Sequence, residues 1–151
     1  MVRKSWSEDL VRPYLFWTPH EWVALSAEYQ YERFNRVADF GHGFKEATTH
    51  RVPLGLKLFH PSGLSFATRA TYLNQDGLFQ RKGGICCESA NSDFWVVDAA
   101  ISYRLPQRYG FLSVGATNLF DRRFQFQESD FNNSTIQPKR TVFARLTLAL
   151  P

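Results

Sequence analysis

The stretch Lys139-Arg-Thr-Val-Phe-Ala-Arg-Leu-Thr-Leu-Ala-Leu150 decides the fold. Val142, Ala144, Leu146, Leu148 and Leu150 stand at every second place, and Thr141, Phe143, Arg145, Thr147 and Ala149 fill the places between. A period of two belongs to a β-strand with one apolar side, because successive side chains leave a strand on opposite faces.

The same period recurs upstream. Phe94–Leu105 puts Trp95, Val97, Ala99, Ile101, Tyr103 and Leu105 on one face, against Val96, Asp98, Ala100, Ser102 and Arg104. Leu64–Leu73 sets Leu64, Phe66, Thr68, Ala70 and Tyr72 against Ser65, Ala67, Arg69 and Thr71. Thr49–Phe59 sets Val52, Leu54, Leu56 and Leu58 against Pro53, Gly55 and Lys57. Trp22–Arg33 sets Val23, Leu25, Ala27, Tyr29 and Tyr31 against Ala24, Ser26, Glu28, Gln30 and Glu32. Residues 10–18 read as a first strand in which Pro13 suits an edge, having no amide hydrogen to donate. Residues 110–121 read as the penultimate strand, and residues 1–9 as an N-terminal extension.

Connections alternate in length. Thr18–Glu21, His60–Gly63 and Pro106–Tyr109 are short turns rich in breaker residues; residues 34–48, 74–93 and 122–138 are long and polar. Strands of about ten residues exceed the ~5–6 usual in soluble sheets. Long strands, alternating short and long connections, and aromatics near the ends of the apolar faces fit a transmembrane barrel wall. The expected fold is therefore all-β: an antiparallel up-and-down meander of about seven long strands over residues 10–151. The charged face (Glu28, Gln30, Glu32, Lys57, Arg69, Asp98, Arg104, Arg145) is expected to line a wet bore, since charges are costly toward lipid.

Composition agrees. In 151 residues no window approaches ~18 consecutive apolar positions, so no helix of the membrane-spanning kind is expected. A mean hydropathy of -0.34 is what a barrel wall also gives, because only alternate residues meet lipid. The net charge of +4 comes from scattered Lys and Arg rather than one basic surface, which disfavours nucleic acid. Met1–Asp9 has a basic start without an apolar stretch, so it does not read as a secretory signal. If the protein is exported, a truncated or partial reading frame is expected.

No nucleophile elbow, phosphate loop or zinc spacing is present, so no enzyme, cofactor or metal site is expected. Glu28 and Glu32 share a strand face about 13 Å apart, too far for a glycosidase pair. Cys86-Cys87 reads as a loop pair. His20, His42, His50 and His60 are dispersed. For ligand binding, the candidates are Phe40, Phe44, Phe79, Phe126 and Phe131 in the long loops, with Arg69, Arg104 and Arg145 on the charged face. The simpler role of these arginines is to pair with Glu28, Glu32 and Asp98.

The segment Val114-Gly-Ala-Thr-Asn-Leu-Phe-Asp-Arg-Arg-Phe124, with Asn118-Leu-Phe-Asp121 at its centre, resembles the C-terminal region of TonB-dependent outer-membrane receptors. So does the entry to the last strand, Pro138-Lys-Arg-Thr-Val142, and the upstream Asp93-Phe-Trp-Val-Val-Asp-Ala-Ala-Ile-Ser-Tyr103. The resemblance implies a 22-stranded barrel, of which this chain holds roughly the last seven strands. It implies the outer membrane of a Gram-negative bacterium and capture of a small ligand, such as a ferric siderophore, by the external loops. Partners would be membrane lipid, the remaining barrel strands and plug, and TonB through that plug. The chain departs from the family in ending Leu150-Pro151 where such receptors end in Phe. Two other readings carry the same alternation: a soluble small β-barrel holding an apolar ligand, with its greasy face inward, and a self-contained eight-stranded outer-membrane protein.

Overall fold

The computed structural model describes residues 6–36, 46–80, 87–123 and 139–149. Among them lies one open antiparallel sheet of nine strands and no α-helix. The strands are β1 (Trp6–Val11), β2 (Tyr14–His20), β3 (Val23–Glu28), β4 (Gln30–Arg36), β5 (Glu46–Phe59), β6 (Leu64–Gln80), β7 (Cys87–Arg104), β8 (Gly110–Thr117) and β9 (Thr141–Leu148). β1 and β2 are one crossing interrupted at Arg12-Pro13; β3 and β4 are the next, interrupted at Tyr29. The nine strands thus make seven consecutive passes, the meander expected from the alternation.

The interruption is held from both sides. Pro13 has no amide hydrogen for the ladder, but its carbonyl accepts from the Tyr29 amide at 3.0 Å. Arg12 Nε donates to the Glu28 carboxylate beside it.

Several boundaries differ from the expectation. β1 begins at Trp6, inside the stretch read as an extension. Most of residues 74–93, expected as a loop, is strand: β6 and β7 pair continuously out to Gln80 opposite Cys87. The loop reading failed there because the alternation turns polar, not because pairing stops. Asn74 pairs with Asp93 and Asp76 with Asn91, whose amide hydrogen-bonds the Asp76 carboxylate. Likewise β5 starts at Glu46, and β8 stops at Thr117, short of the expected Asp121.

Register does more than alternation. Directly opposed residues share a face. Val23 stands opposite Leu58, Leu58 opposite Phe66, Phe66 opposite Ile101, Ile101 opposite Val114 and Val114 opposite Ala144. The apolar columns read separately on each strand therefore merge into one continuous surface. On the other face, Ala24, Lys57, Ala67, Ala100, Gly115 and Phe143 form a single cross-strand row. Its residues are mostly small, which lets the sheet curl toward that side. A hollow of about 310 Å³ spans the sheet there, bordered by Phe16 on β2 and Phe143 on β9. The Phe143 ring lies over Gly115, where an added Cβ would stand 2.7 Å from it.

No dry centre exists among the described residues. The buried apolar side chains are Ala47, Leu73, Phe94 and Ala116. Ile101, Val114, Leu146 and Leu148 all remain more than half exposed.

The turn into β8 rests on Gly110, whose φ of 144° places a built Cβ 1.9 Å from the Thr147 carbonyl oxygen. Gly110→Ala is expected to cost at least about 2 kcal/mol, because both backbone conformation and the close approach to β9 must give way. Urea unfolding of detergent-refolded protein measures it.

Candidate functional site

The candidate site is the pair of faces and the rim where they meet the long connections. On the outer face the columns change character sharply along each strand. β5 runs Leu58, Leu56, Leu54, Val52 and then His50, Thr48; β6 runs Leu64, Phe66, Thr68, Ala70, Tyr72 and then Asn74, Asp76; β7 runs Tyr103, Ile101, Ala99, Val97, Trp95 and then Asp93, Asn91. The change falls at aromatics. Tyr72 and Trp95 are opposed, with ring centroids 5.2 Å apart. The Tyr29 hydroxyl and His50 Nδ1 hydrogen-bond at 2.8 Å, and Tyr31 lies opposite His50. At the far end of this face stands Tyr103, 39% exposed; Phe59, opposite Ser65, belongs by register to the other face. An aromatic ring at each border of an apolar band is what a bilayer's two interfaces favour, since these side chains have a greasy body and, for Tyr and Trp, a polar tip.

The band also drifts. Its lower end moves from Val23 on β3 to Leu148 on β9, four residues below the row through Val23, which reaches β9 at Ala144. Four residues of ~3.3 Å over five inter-strand steps of ~4.8 Å correspond to strands tilted by about 30° from the normal of the band. Barrel strands tilt by about 35–45°.

The inner face carries Ser26, Gly55, Arg69 and Asp98 in one row, with Lys57 beside them, all lining the hollow. Among the described residues, neither Arg69, Arg104 nor Arg145 makes the ion pair the sequence suggested. Glu28 is held by Arg12 instead, and the other pair is Arg33–Glu46 at 3.0 Å. Arg69 and Asp98 are directly opposed without closing a salt bridge. The Asp98 carboxylate accepts from the Asn118 amide at 2.9 Å. Above the band, Thr49 and Gln75 are buried and bonded to each other at 3.1 Å. Nearby on that face, desolvation, reinforced by Glu8, pushes the Glu32 carboxyl above the usual carboxylate range.

Of the aromatic ligand candidates, Phe79 lies in β6 opposite Glu88 and not in a loop. Phe40, Phe44, Phe126 and Phe131 fall outside the described residues, as does Cys86; Cys87 begins β7. Arg69 lines the hollow, whereas Arg104 and Arg145 lie nearer the short turns. The structure does not bring these three arginines into one cluster. Sequence reasoning passed over Phe16 and Phe143. Phe143 was visible as the one aromatic on the polar side of the last strand.

The Asn118–Asp121 turn, which carried the family resemblance, is a clamp. Asn118 has a φ of 48° and is 3% exposed. Its side-chain oxygen accepts from the Arg122 amide at 2.8 Å, and its Nδ2 donates to the Arg122 carbonyl at 2.9 Å. The Leu119 amide donates to the Val97 carbonyl, and the Asp121 carboxylate accepts from the Arg140 amide at 3.0 Å. The turn thereby ties β7, the end of β8 and the entry to β9 together. No family model matches the chain, and no curated protein or solved structure is significantly similar to it.

Asn118→Ala is expected to cost about 1–2 kcal/mol, since it removes two part-buried hydrogen bonds to the Arg122 backbone and puts a poor residue at positive φ; denaturant titration in detergent checks it. Glu32 has its folded pKa raised above the unfolded value, so its destabilising contribution is absent below the unfolded pKa of about 4.3 and grows as pH rises to and through the folded pKa. Glu32→Gln is expected to stabilise the fold at neutral pH and to leave it unchanged at pH values well below that range, as read from unfolding midpoints across pH.

Proposed function

We propose that this chain is a section of a transmembrane β-barrel wall. The observation that carries the reading is the continuous exposed apolar face from Trp17 on β2 to Leu148 on β9, bounded by aromatics. In water such a surface far exceeds what a monomer leaves uncovered. In hydrocarbon it needs no further cover, and backbone groups between neighbouring strands are already paired, which leaves only the two edges to be met by other strands. The opposite face holds Lys57, Arg69, Asp98 and Arg145, suited to a hydrated bore.

The receptor resemblance extends this reading. The chain would supply wall, short turns on one side and long connections on the other for an outer-membrane receptor taking up a small ligand such as a ferric siderophore. Plug, energy coupling through TonB and the other strands would come from outside these residues. Catalysis has no part in this reading. The soluble-carrier alternative requires the apolar face inward; hollows lie on both faces, including one of about 470 Å³ over Leu15, Trp17, Leu54 and Ala70 on the apolar side, so what speaks against it is the row of small side chains on the polar side.

A charge on each face separates the two. Ile101→Arg is expected to cost about 1–2 kcal/mol in lipid, with loss of folded protein, because it stands on the lipid face within the band, between its midplane and its border at Tyr103. Ser102→Arg, one residue on, faces the bore and is expected to cost under about 1 kcal/mol. Folding into phosphatidylcholine vesicles, read by protease protection and heat-modifiable gel mobility, measures both. Equal effects, or the reverse order, would sink the wall.

A further inference from the structure

Four cations stand together at the rim of β8 and β9: Arg122, Arg123, Lys139 and Arg140, all exposed. The hydrogen bond from the Arg140 amide to Asp121 brings the two pairs to either side of one connection. None of the four forms an ion pair among the described residues, and Asp121 is the carboxylate at this neck. The rim differs elsewhere on the outer face. There the charged residues beyond the band include Asp9, Asp76 and Asp93, and Arg33 is engaged by Glu46.

Height along the wall decides what these charges meet. Arg140 continues the column Leu148, Leu146, Ala144, Val142 by the same two-residue step, so it crowns the apolar band on β9. The band's drift puts its upper border there. Beside it Phe120 is 73% exposed, one residue beyond Leu119, whose amide is bonded to Val97 of β7. An exposed aromatic and a cluster of exposed arginines with a lysine, at the border between hydrocarbon and water on the wall reading, suit one chemistry. Arginine forks match phosphate oxygens two at a time, and basic clusters next to a hydrocarbon boundary attract anionic head groups.

We propose that this corner binds the phosphate of lipid head groups in the leaflet facing the long connections. The inference rests on the wall reading and names a lipid partner for it. Glu128 and Asp130 of the intervening connection lie outside the described residues, so a variant neutralising both belongs in the test.

The refolded full chain is floated with vesicles of phosphatidylcholine alone, and with vesicles also containing phosphatidic acid. On phosphatidylcholine, wild type and R122Q/R123Q/K139Q/R140Q are expected to associate equally. Phosphatidic acid is expected to raise wild-type association more than tenfold, the gain shrinking as salt rises. The quadruple variant should lose that gain, while Arg104→Gln at the opposite border and E128Q/D130N keep it. A quadruple variant that retains the gain overturns the proposal. So does a gain abolished by inorganic phosphate at matching concentration, which would mark a site for a free anion. Failure of every protein to associate with phosphatidylcholine would instead strike the wall reading itself.

Discussion

The structure depends on the phase of its ladders. Each strand carries an apolar column at every second residue, but seven columns make one surface only if every hydrogen-bonded register keeps them in step. A slip of one residue between any two neighbours would turn a whole apolar column to the wet face. Two of the short turns hold it, whereas the pairing of β2 with β3 shifts register between Trp17 and His20 beside the first turn. His60 accepts the Gly63 amide and Gly63 in turn accepts the Arg104 amide, so the β5–β6 turn is also bonded to β7. The β7–β8 turn closes through the Leu105 amide to the Gly110 carbonyl, with Gln107 in the left-handed region. The far end of β8 is fixed by the Asn118 clamp, which reaches both neighbours.

A sheet assembled this way does not draw its cohesion from a packed centre. The described residues bury four apolar side chains, whereas the large ones on the outer face stay open. In water the backbone bonds alone would leave such a sheet marginal, because each exchanges with solvent for little net gain. In hydrocarbon the balance changes: an unpaired amide has no water to turn to, and breaking a ladder costs several kcal/mol per group. The small inner row of Ala24, Ala67, Ala100 and Gly115 then needs to satisfy only curvature, and Phe143 fills the space over its glycine.

Most of the wall was legible because two signals with one cause coincide. On the wall reading, apolar alternation marks where a strand meets hydrocarbon, and the aromatics at the border toward the long connections mark where it leaves. The paired segments beyond the band were not legible: Asn74–Gln80 and Cys87–Asp93 carry polar side chains on both faces and read as loop. Nor was the broken first crossing, since Arg12-Pro13 and Tyr29 interrupt β1–β2 and β3–β4 in concert, a tertiary match that no single stretch announces. The inner charges were assigned to the right face by periodicity alone. Their partners were not, because pairing depends on stagger: Glu28 lies beside Arg12 across the break, while Arg69 and Asp98, opposed in register, form no ion pair. The Asn-Leu-Phe-Asp stretch was noticed as a resemblance and turns out to have a local mechanical reason to be those residues, with Asn at positive φ and Asp on the next strand's amide.

The open edges bear on what completes such a wall. The first crossing, β1 with β2, and the last, β9, both run toward the short-turn side, as any odd number of passes requires. Both edge strands expose their apolar faces, Leu15 and Trp17 at 64% and 60%, Val142 and Leu146 at 69% and 60%. A second copy in the same membrane orientation would bring β9 beside β1 and β2 running the same way, a parallel pairing with slanted and weaker bonds. An upside-down copy would have to carry its long polar connections to the other side of the bilayer. Antiparallel closure therefore calls for an odd number of further strands, beginning and ending with ones that run away from the short turns.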